Sequence, residues 1–292
     1  MHPGVSEHEE LMAALRDMNQ LLSDIRWELQ TGRKTYYKTM ARAAAAPFLH
    51  DITQLIGPTQ LDMLDTLAYL KSHHVSFLRF GDGELQLMLR PDYSQAQQRN
   101  SPDVAGRLQA ILTDSQRDDV LLSLPLILHD ENWLGTWTGI WDDLRPLLES
   151  AQWPIYGTAH ASRPIFFQYA GQQGVAAWRS LWDHAKATVI TGDGSRFTLV
   201  PQLFDNLRSV EYLYSRPTNA AIDVDRVVAE LQSCTSDVFL ISLGPAGTIL
   251  TSELAKSGKW ALDIGHLSDS YQFVFGGDRY PESKPLFKNA ES

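Results

Sequence analysis

The chain has few of the features that would place it outside a reducing, soluble setting. Only Cys234 is a cysteine among 292 residues, which excludes an intrachain disulfide and any cysteine-rich zinc cluster. No run approaches the roughly 20 apolar residues that span a bilayer. The start, Met1-His2-Pro3-Gly4-Val5-Ser6-Glu7, has no basic stretch leading into an apolar one, so no export signal is expected and a cytoplasmic location is. Positive charge is scarce as well: 25 Lys and Arg face 35 Asp and Glu, a net charge of −10. Nucleic-acid affinity rests on phosphate neutralisation by cations, so a general nucleic-acid binder is excluded, and any polyanion must be met by local positive charge.

What is present suits a globular protein of one large domain or two small ones, with 43% hydrophobic residues to build a core. Residues 9–30 place Leu11, Leu15, Met18, Leu22, Ile25 and Leu29 at alternating spacings of four and three, the a/d seam of a coiled coil. Three heptads fit two arrangements: a helix packed on its own domain, or a homo-oligomer through residues 9–30. Arg33, Lys34, Lys38 and Arg42 around Tyr36 and Tyr37 read as a solvated helix face, with peripheral contact to an anionic membrane as the alternative. Ala43 to Pro47 breaks the pattern and suggests a boundary. The expected division is therefore a helical extension over 1–55 and a second domain over 56–292.

From about residue 56, short apolar, β-branched runs alternate with helical patterns, the signature of an α/β domain with a mostly parallel sheet flanked by helices. Strands are expected near 76–80, 119–124, 154–158, 187–192, 210–214, 237–243 and 260–264. Helices are expected over 59–72, 102–114, 174–184, 223–233 and 246–257, among others. Trp133, Trp137 and Trp141 recur every fourth residue, a stripe that favours packing over stacking on a sugar. His73-His74 reads as a helix-end pair, and no nucleophile elbow accompanies Asp263 and His266, so a Ser-His-Asp hydrolase is excluded.

Six strands are followed by distinctive polar clusters, and in parallel sheets ligands bind outside the carboxyl ends of strands. The first, Arg79-Phe80-Gly81-Asp82-Gly83-Glu84, leads from a strand into an expected loop with two carboxylates around one glycine. Hard oxygen ligands of this kind suit Mn2+ or Mg2+ completed by substrate phosphates, whereas the alternative is a strand-end turn with a capping Asp82 and a first-turn Glu84. Arg79, inside an apolar strand, requires a partner: a buried acid such as Asp263, or substrate. Gly244, Pro245, Gly247 and Thr248 join a strand to a helix and fit either a phosphate nest or tight strand–helix packing; they lack the Lys of a P-loop and the Gly-x-Gly-x-x-Gly fingerprint. Arg163 and Arg196 add guanidinium groups that grip phosphate oxygens.

Together, Arg79 to Glu84, Ser162-Arg163-Pro164, Gly192-Asp193-Gly194-Ser195-Arg196-Phe197, Pro217-Thr218-Asn219-Ala220, Leu243 to Thr248 and Ala261 to Leu267 resemble, in order, the GT-D type glycosyltransferases of bacterial glycan-assembly loci. The resemblance covers roughly residues 57–275. It implies a Rossmann-like enzyme transferring a hexose from a uridine-diphosphate sugar to a glycan acceptor, with Asp82 and Glu84 holding Mn2+ or Mg2+. Substrate contacts are then expected from Arg79, Gly81, Arg163, Ser195, Arg196, Asn219, Gly244, Pro245, Gly247, Thr248 and His266. Asp193 or Asp263 would deprotonate the acceptor hydroxyl in an inverting reaction. The stretch Leu267 to Phe273 departs from the family pattern, so the resemblance implies nothing about the acceptor. A metal-dependent phosphohydrolase and a non-catalytic assembly protein are the alternatives.

Overall fold

The computed structural model of the protein describes residues 7–128 and 131–287, so the expectation drawn from Met1 to Ser6 lies outside the described residues. The N-terminal pattern forms one 50-residue helix, α1 (Glu7–Ile56), and the break expected at Ala43–Pro47 does not occur, because the helix runs through Pro47. Ala43 to Ala46 are the strongest helix formers and carry the helix to the proline, whose missing N–H forfeits a single bond to the preceding turn. Contacts divide the chain into two compact units. One comprises the chain up to Asp51 together with Leu128–Gly139; the other comprises Ile52–Ile127 and the chain from Ile140 onward.

The second unit contains a seven-stranded sheet. Its strands are β1 (Ser76–Arg79), β2 (Val120–Leu124), β3 (Gly157–Thr158), β4 (Lys186–Gly192), β5 (Ser209–Ser215), β6 (Val238–Ser242) and β7 (Ala261–Asp263). They lie in the order β3-β2-β1-β7-β6-β4-β5. Every pairing is parallel, as the continuous apolar runs of the inner strands predict, while β5 at one edge is largely exposed. The remaining helices are α2 (Met63–His73), α3 (Asp82–Leu89), α4 (Pro102–Thr113), α5 (Glu131–Ala151), α6 (Pro164–Arg179), α7 (Pro201–Phe204), α8 (Val224–Leu231), α9 (Pro245–Lys256) and α10 (Leu267–Gly276).

Two helices differ from expectation. α2 starts at Met63 rather than 59 because the Asp62 carboxylate accepts from the N–H of Asp65 at 2.7 Å and fixes the start there. The helix expected over 174–184 is the second segment of α6: a first segment starts at Pro164, whose fixed φ suits a first turn, the chain kinks at Gly171 (φ +52°), and the second segment ends at Arg179. Of the tryptophan stripe, Trp137 and Trp141 are fully buried, in line with a packing role. His73 ends α2 and His74 caps it, as a helix-end pair should.

α3, α4, α8 and α9 pack in succession on one face of the sheet, with α9 lying on β1, β6 and β7; α2, α6, α7 and α10 cover the other. Phe77, Leu121, Val189, Leu240 and Leu262 bury their side chains on that second face against Leu67, Phe166, Trp178, Leu203 and Leu267. Each such side chain contributes about 1.5–3 kcal/mol of apolar burial. The neighbouring strands β1 and β7 thus send the chain to opposite faces, into α3 and α10. That divergence opens a crevice beyond their carboxyl ends, the usual ligand position in such sheets.

Candidate active site

The crevice begins with Arg79, the last residue of β1 and 9% exposed. Its partner is Asp263, at the end of neighbouring β7: Nε lies 3.4 Å from Oδ1. Arg79 Nη1 also donates to Ser162 Oγ at 2.5 Å. Asp263 is fully enclosed. Its Oδ1 accepts from the N–H of Gly265 at 3.1 Å, and the Thr248 hydroxyl bridges its Oδ2, at 3.3 Å, and the Arg79 carbonyl, at 2.7 Å. The arginine-in-strand argument is therefore answered by the buried acid. Gly265 is required by this arrangement: its φ is +46°, and a Cβ there would lie 2.2 Å from Arg79 Nη2.

The Asp-Gly-Glu stretch is not in a loop. It forms the first turn of α3, capped by Gly81 rather than Asp82, and Glu84 Oε2 reaches back to accept from the Gly81 N–H at 2.8 Å. The two carboxylates differ in surroundings: Asp82 is exposed and Glu84 is 7% exposed. Burial pushes the Glu84 carboxyl up to about 7, with Arg79 working against the shift and Asp263 adding to it. Burial likewise raises Asp263, against the pull of Arg79. One guanidinium thus serves two enclosed acids. Among the described residues no trio of His, Cys, Asp and Glu is placed to hold a metal. Two carboxylates fit a dication that arrives with a diphosphate, and added positive charge would favour the ionised form that burial disfavours in Glu84.

A second cluster lies at the ends of β3 and β7. Arg163 Nη1 meets His266 Nδ1 at 2.5 Å, and Nη2 of the same arginine bonds Glu282 Oε1. Because a guanidinium only donates, His266 Nδ1 accepts, which leaves its proton on Nε2. Burial, then Arg163, Arg196, Arg79 and Lys284, holds this imidazole well below its ordinary range and therefore neutral. His160 is neutral for similar reasons, pushed to about 3 by burial and by Arg163 and Arg79, and its Nδ1 accepts from the Leu126 N–H at 3.0 Å.

Other residues singled out in the sequence are spread along the same edge. Asp193 is exposed just beyond β4, and Ser195 Oγ lies 2.8 Å from Thr191 Oγ1. Arg196 pairs with Asp269 at 2.9 Å. Asn219 accepts from the N–H of Arg99 at 2.8 Å and donates from its own N–H to Gln97 O at 2.7 Å. Gly244 opens α9, Pro245 has no N–H, and the Gly247 N–H is taken by Gly244 O at 2.8 Å.

Sequence reasoning missed two segments. In residues 91–100, Gln95 packs so tightly on the Asp-Gly-Glu turn that a Cβ on Gly83 would lie 1.8 Å from its Nε2. The tail contributes Glu282 and Lys284. The Gln-rich, aperiodic stretch Gln95-Ala96-Gln97-Gln98 was the available signal for the first.

The profile of the glycosyltransferase GT-D fold matches residues 77–277, most of the chain and every strand of the sheet. The chain belongs to the GT-D glycosyltransferase family. Among curated relatives, Glycosyltransferase GlyD of Streptococcus pneumoniae serotype 4 is 26% identical over 223 residues, 72% of this chain and 27% of that protein. A probable glycosyl transferase Gly of Streptococcus gordonii is 25% identical over 224 residues, 73% of this chain and 32% of that protein. This GT-D chain thus spans about a quarter to a third of the length of those relatives. Among solved structures, the highly conserved domain of unknown function 1792, described as having a distinct glycosyltransferase fold, superposes with a TM-score of 0.71 at 24% identity, covering 86% of this chain and 91% of that one. A glycosyltransferase from Streptococcus sanguinis gives a TM-score of 0.69 at 23% identity, covering 80% of this chain and 90% of that one. At these identities the structural likeness establishes the fold. The GT-D match covers both the Asp-Gly-Glu turn and the Arg163–His266 pair, but not Glu282.

Proposed function

We propose that residues 56–292 form a metal-dependent transferase that moves a hexose from a uridine-diphosphate sugar to a glycan or glycoconjugate acceptor in the cytoplasm. The observation that carries this reading is the placement of exposed Asp82 and enclosed Glu84, whose carboxyl burial pushes up, in the first turn of α3 at the switch crevice of a GT-D sheet. Asp82 and Glu84 would hold Mn2+ or Mg2+, which when bound supplies Lewis-acid stabilisation to the departing diphosphate. Arg163 offers a guanidinium and neutral His266 an Nε2–H to anionic oxygens of the donor. Arg79 and Thr248 act at one remove, fixing the β1 and β7 ends that carry the turn. Of the two acids offered as base, Asp263 is enclosed and engaged by Arg79, Thr248 and Gly265, the place of a positioning residue. Exposed Asp193 is the one an acceptor hydroxyl can reach, and in an inverting transfer it would take the proton.

Incubating the protein with Mn2+ and uridine-diphosphate hexoses tests the reading. Tight binding with little hydrolysis in the absence of acceptor supports a transferase; rapid phosphate release from diverse phosphate esters would favour a phosphohydrolase instead.

Residues 9–30 have a separate role in this reading. Leu11, Leu15, Met18, Leu22, Ile25 and Leu29 are between 40% and 69% exposed, an apolar seam that calls for a partner. No described helix is long and apolar enough to cross a membrane, and within residues 9–30 the acids Glu9, Glu10, Asp17, Asp24 and Glu28 outnumber Arg16 and Arg26, which disfavours an anionic lipid surface as the partner of the seam itself. We propose a second copy as partner. In a parallel pair, Glu28 at a g position would face Arg33 at the following e position of the other helix. Sedimentation of Leu22→Lys beside the unaltered chain checks this: dissociation is expected, and an unchanged mass would contradict it.

A further inference from the structure

Resting on the donor-site reading above, we propose that the Glu282 carboxylate is an internal stand-in for an anionic group of the donor, occupying in the free protein the subsite formed by Arg163 and His266. Glu282 bonds Arg163 through Oε1, and the same oxygen lies 3.9 Å from His266 Nδ1. Carboxylate and phosphate oxygens are interchangeable partners for a guanidinium, so whatever anion is drawn to Arg163 competes with Glu282.

The three arginines of the crevice are neutralised differently. Arg79 faces Asp263, which has 1% of its side chain exposed, and Arg196 faces Asp269, with 11%. Neither acid can leave without opening the core. Glu282 has 49% of its side chain exposed and can swing into water. Arg163 is therefore the crevice arginine whose counter-ion is exchangeable.

The backbone that carries Glu282 is fastened on both sides. Pro281 is buried. Lys284, with 11% of its side chain exposed, bonds Asp278 at 2.6 Å and Asp269 at 2.9 Å. Arg196 Nη1 donates to the carbonyls of Lys284 at 2.8 Å and Pro285 at 3.4 Å, and Phe287 forms an antiparallel bridge with Ser195. Exchange thus needs only rotation of the Glu282 side chain, with the segment staying in place. The carboxylate then remains near the subsite and opposes anion binding. This makes Glu282 a determinant of donor affinity, in a segment beyond the stretch shared across the family.

Calorimetric titration of the full chain and of Glu282→Gln tests the proposal, with inorganic pyrophosphate alone and with uridine diphosphate plus Mn2+ as probes. Glu282→Gln is expected to tighten pyrophosphate binding about fivefold, the scale of a half-exposed ion pair, and adding Arg163→Gln should remove the gain. Unchanged or weaker binding by Glu282→Gln would overturn the proposal, because Glu282 would then be holding Arg163 in position rather than competing for it. Tightening seen with pyrophosphate while uridine diphosphate fails to bind would leave the subsite standing and defeat the nucleotide-sugar reading. If neither anion binds either protein, the subsite itself is refuted.

Discussion

Arg79, the last residue of β1, and Arg163, the residue that leads into α6, stand at one crevice, each held by a carboxylate, yet their surroundings give them different work. Arg79 is enclosed, its acid is enclosed, and the Thr248 hydroxyl ties the pair to the strand. Arg163 meets a half-exposed acid from the tail and a neutral histidine that still carries a donor. A buried ion pair is costly to break because one unpaired charge is left in a poor dielectric, whereas an exposed pair can be exchanged at little cost. The first cluster therefore fixes the ends of β1 and β7, and the second is free to meet a ligand.

The largest effect that could break this comparison is on the enclosed side. Asp263→Ala should cost about 3–5 kcal/mol by chemical denaturation, since it strands Arg79. A loss below about 1 kcal/mol would mean that the pair is not enclosed in solution. Glu84→Gln sharpens the contrast with a pH signature. The folded Glu84 carboxyl, near 7, lies above its ordinary value of 4.5, so the folded chain holds the proton more tightly. That stability is fully present below pH about 4.5 and is lost as pH rises to about 7. Glu84→Gln should accordingly stabilise the protein by roughly 3 kcal/mol at pH 8 and leave it nearly unchanged at pH 4. Parallel pH dependence in both proteins would contradict the burial of this acid. A smaller loss, about 2 kcal/mol, is expected for Gly265→Ala, which puts a methyl at positive φ against the Arg79 guanidinium. Its melting temperature is the readout, and an unchanged value would show that the guanidinium has room to move.

The two clusters also differ in how much of them the sequence discloses. Arg79 inside the apolar run Phe77-Leu78-Arg79-Phe80 demanded a partner, and Asp263 at the end of another apolar run was one of the two on offer, the other being substrate; β1, β2, β4, β6 and β7 are buried along nearly their whole length and leave an unbroken apolar signal, whereas β5 is largely exposed. The tail and the 91–100 segment carry no period. Glu282 reaches Arg163 across 119 positions and Arg99 reaches Asn219 across 120, through side chains whose partners no local pattern specifies. The Asp-Gly-Glu turn lies between these cases. Its residues were conspicuous, but glycine disguised a helix start as a loop, and only the fold separates an exposed Asp82 from an enclosed Glu84.

That separation leads to the most direct test of the account: calorimetric binding of uridine diphosphate, with and without Mn2+, to the unaltered protein and to Asp82→Asn, with melting temperature followed in parallel. Asp82 is exposed, so its replacement should change stability by less than about 0.5 kcal/mol while removing the Mn2+-dependent part of the affinity. Binding that is equally strong in both proteins, or that does not respond to Mn2+, would contradict the claim that this turn holds a donor diphosphate through a metal.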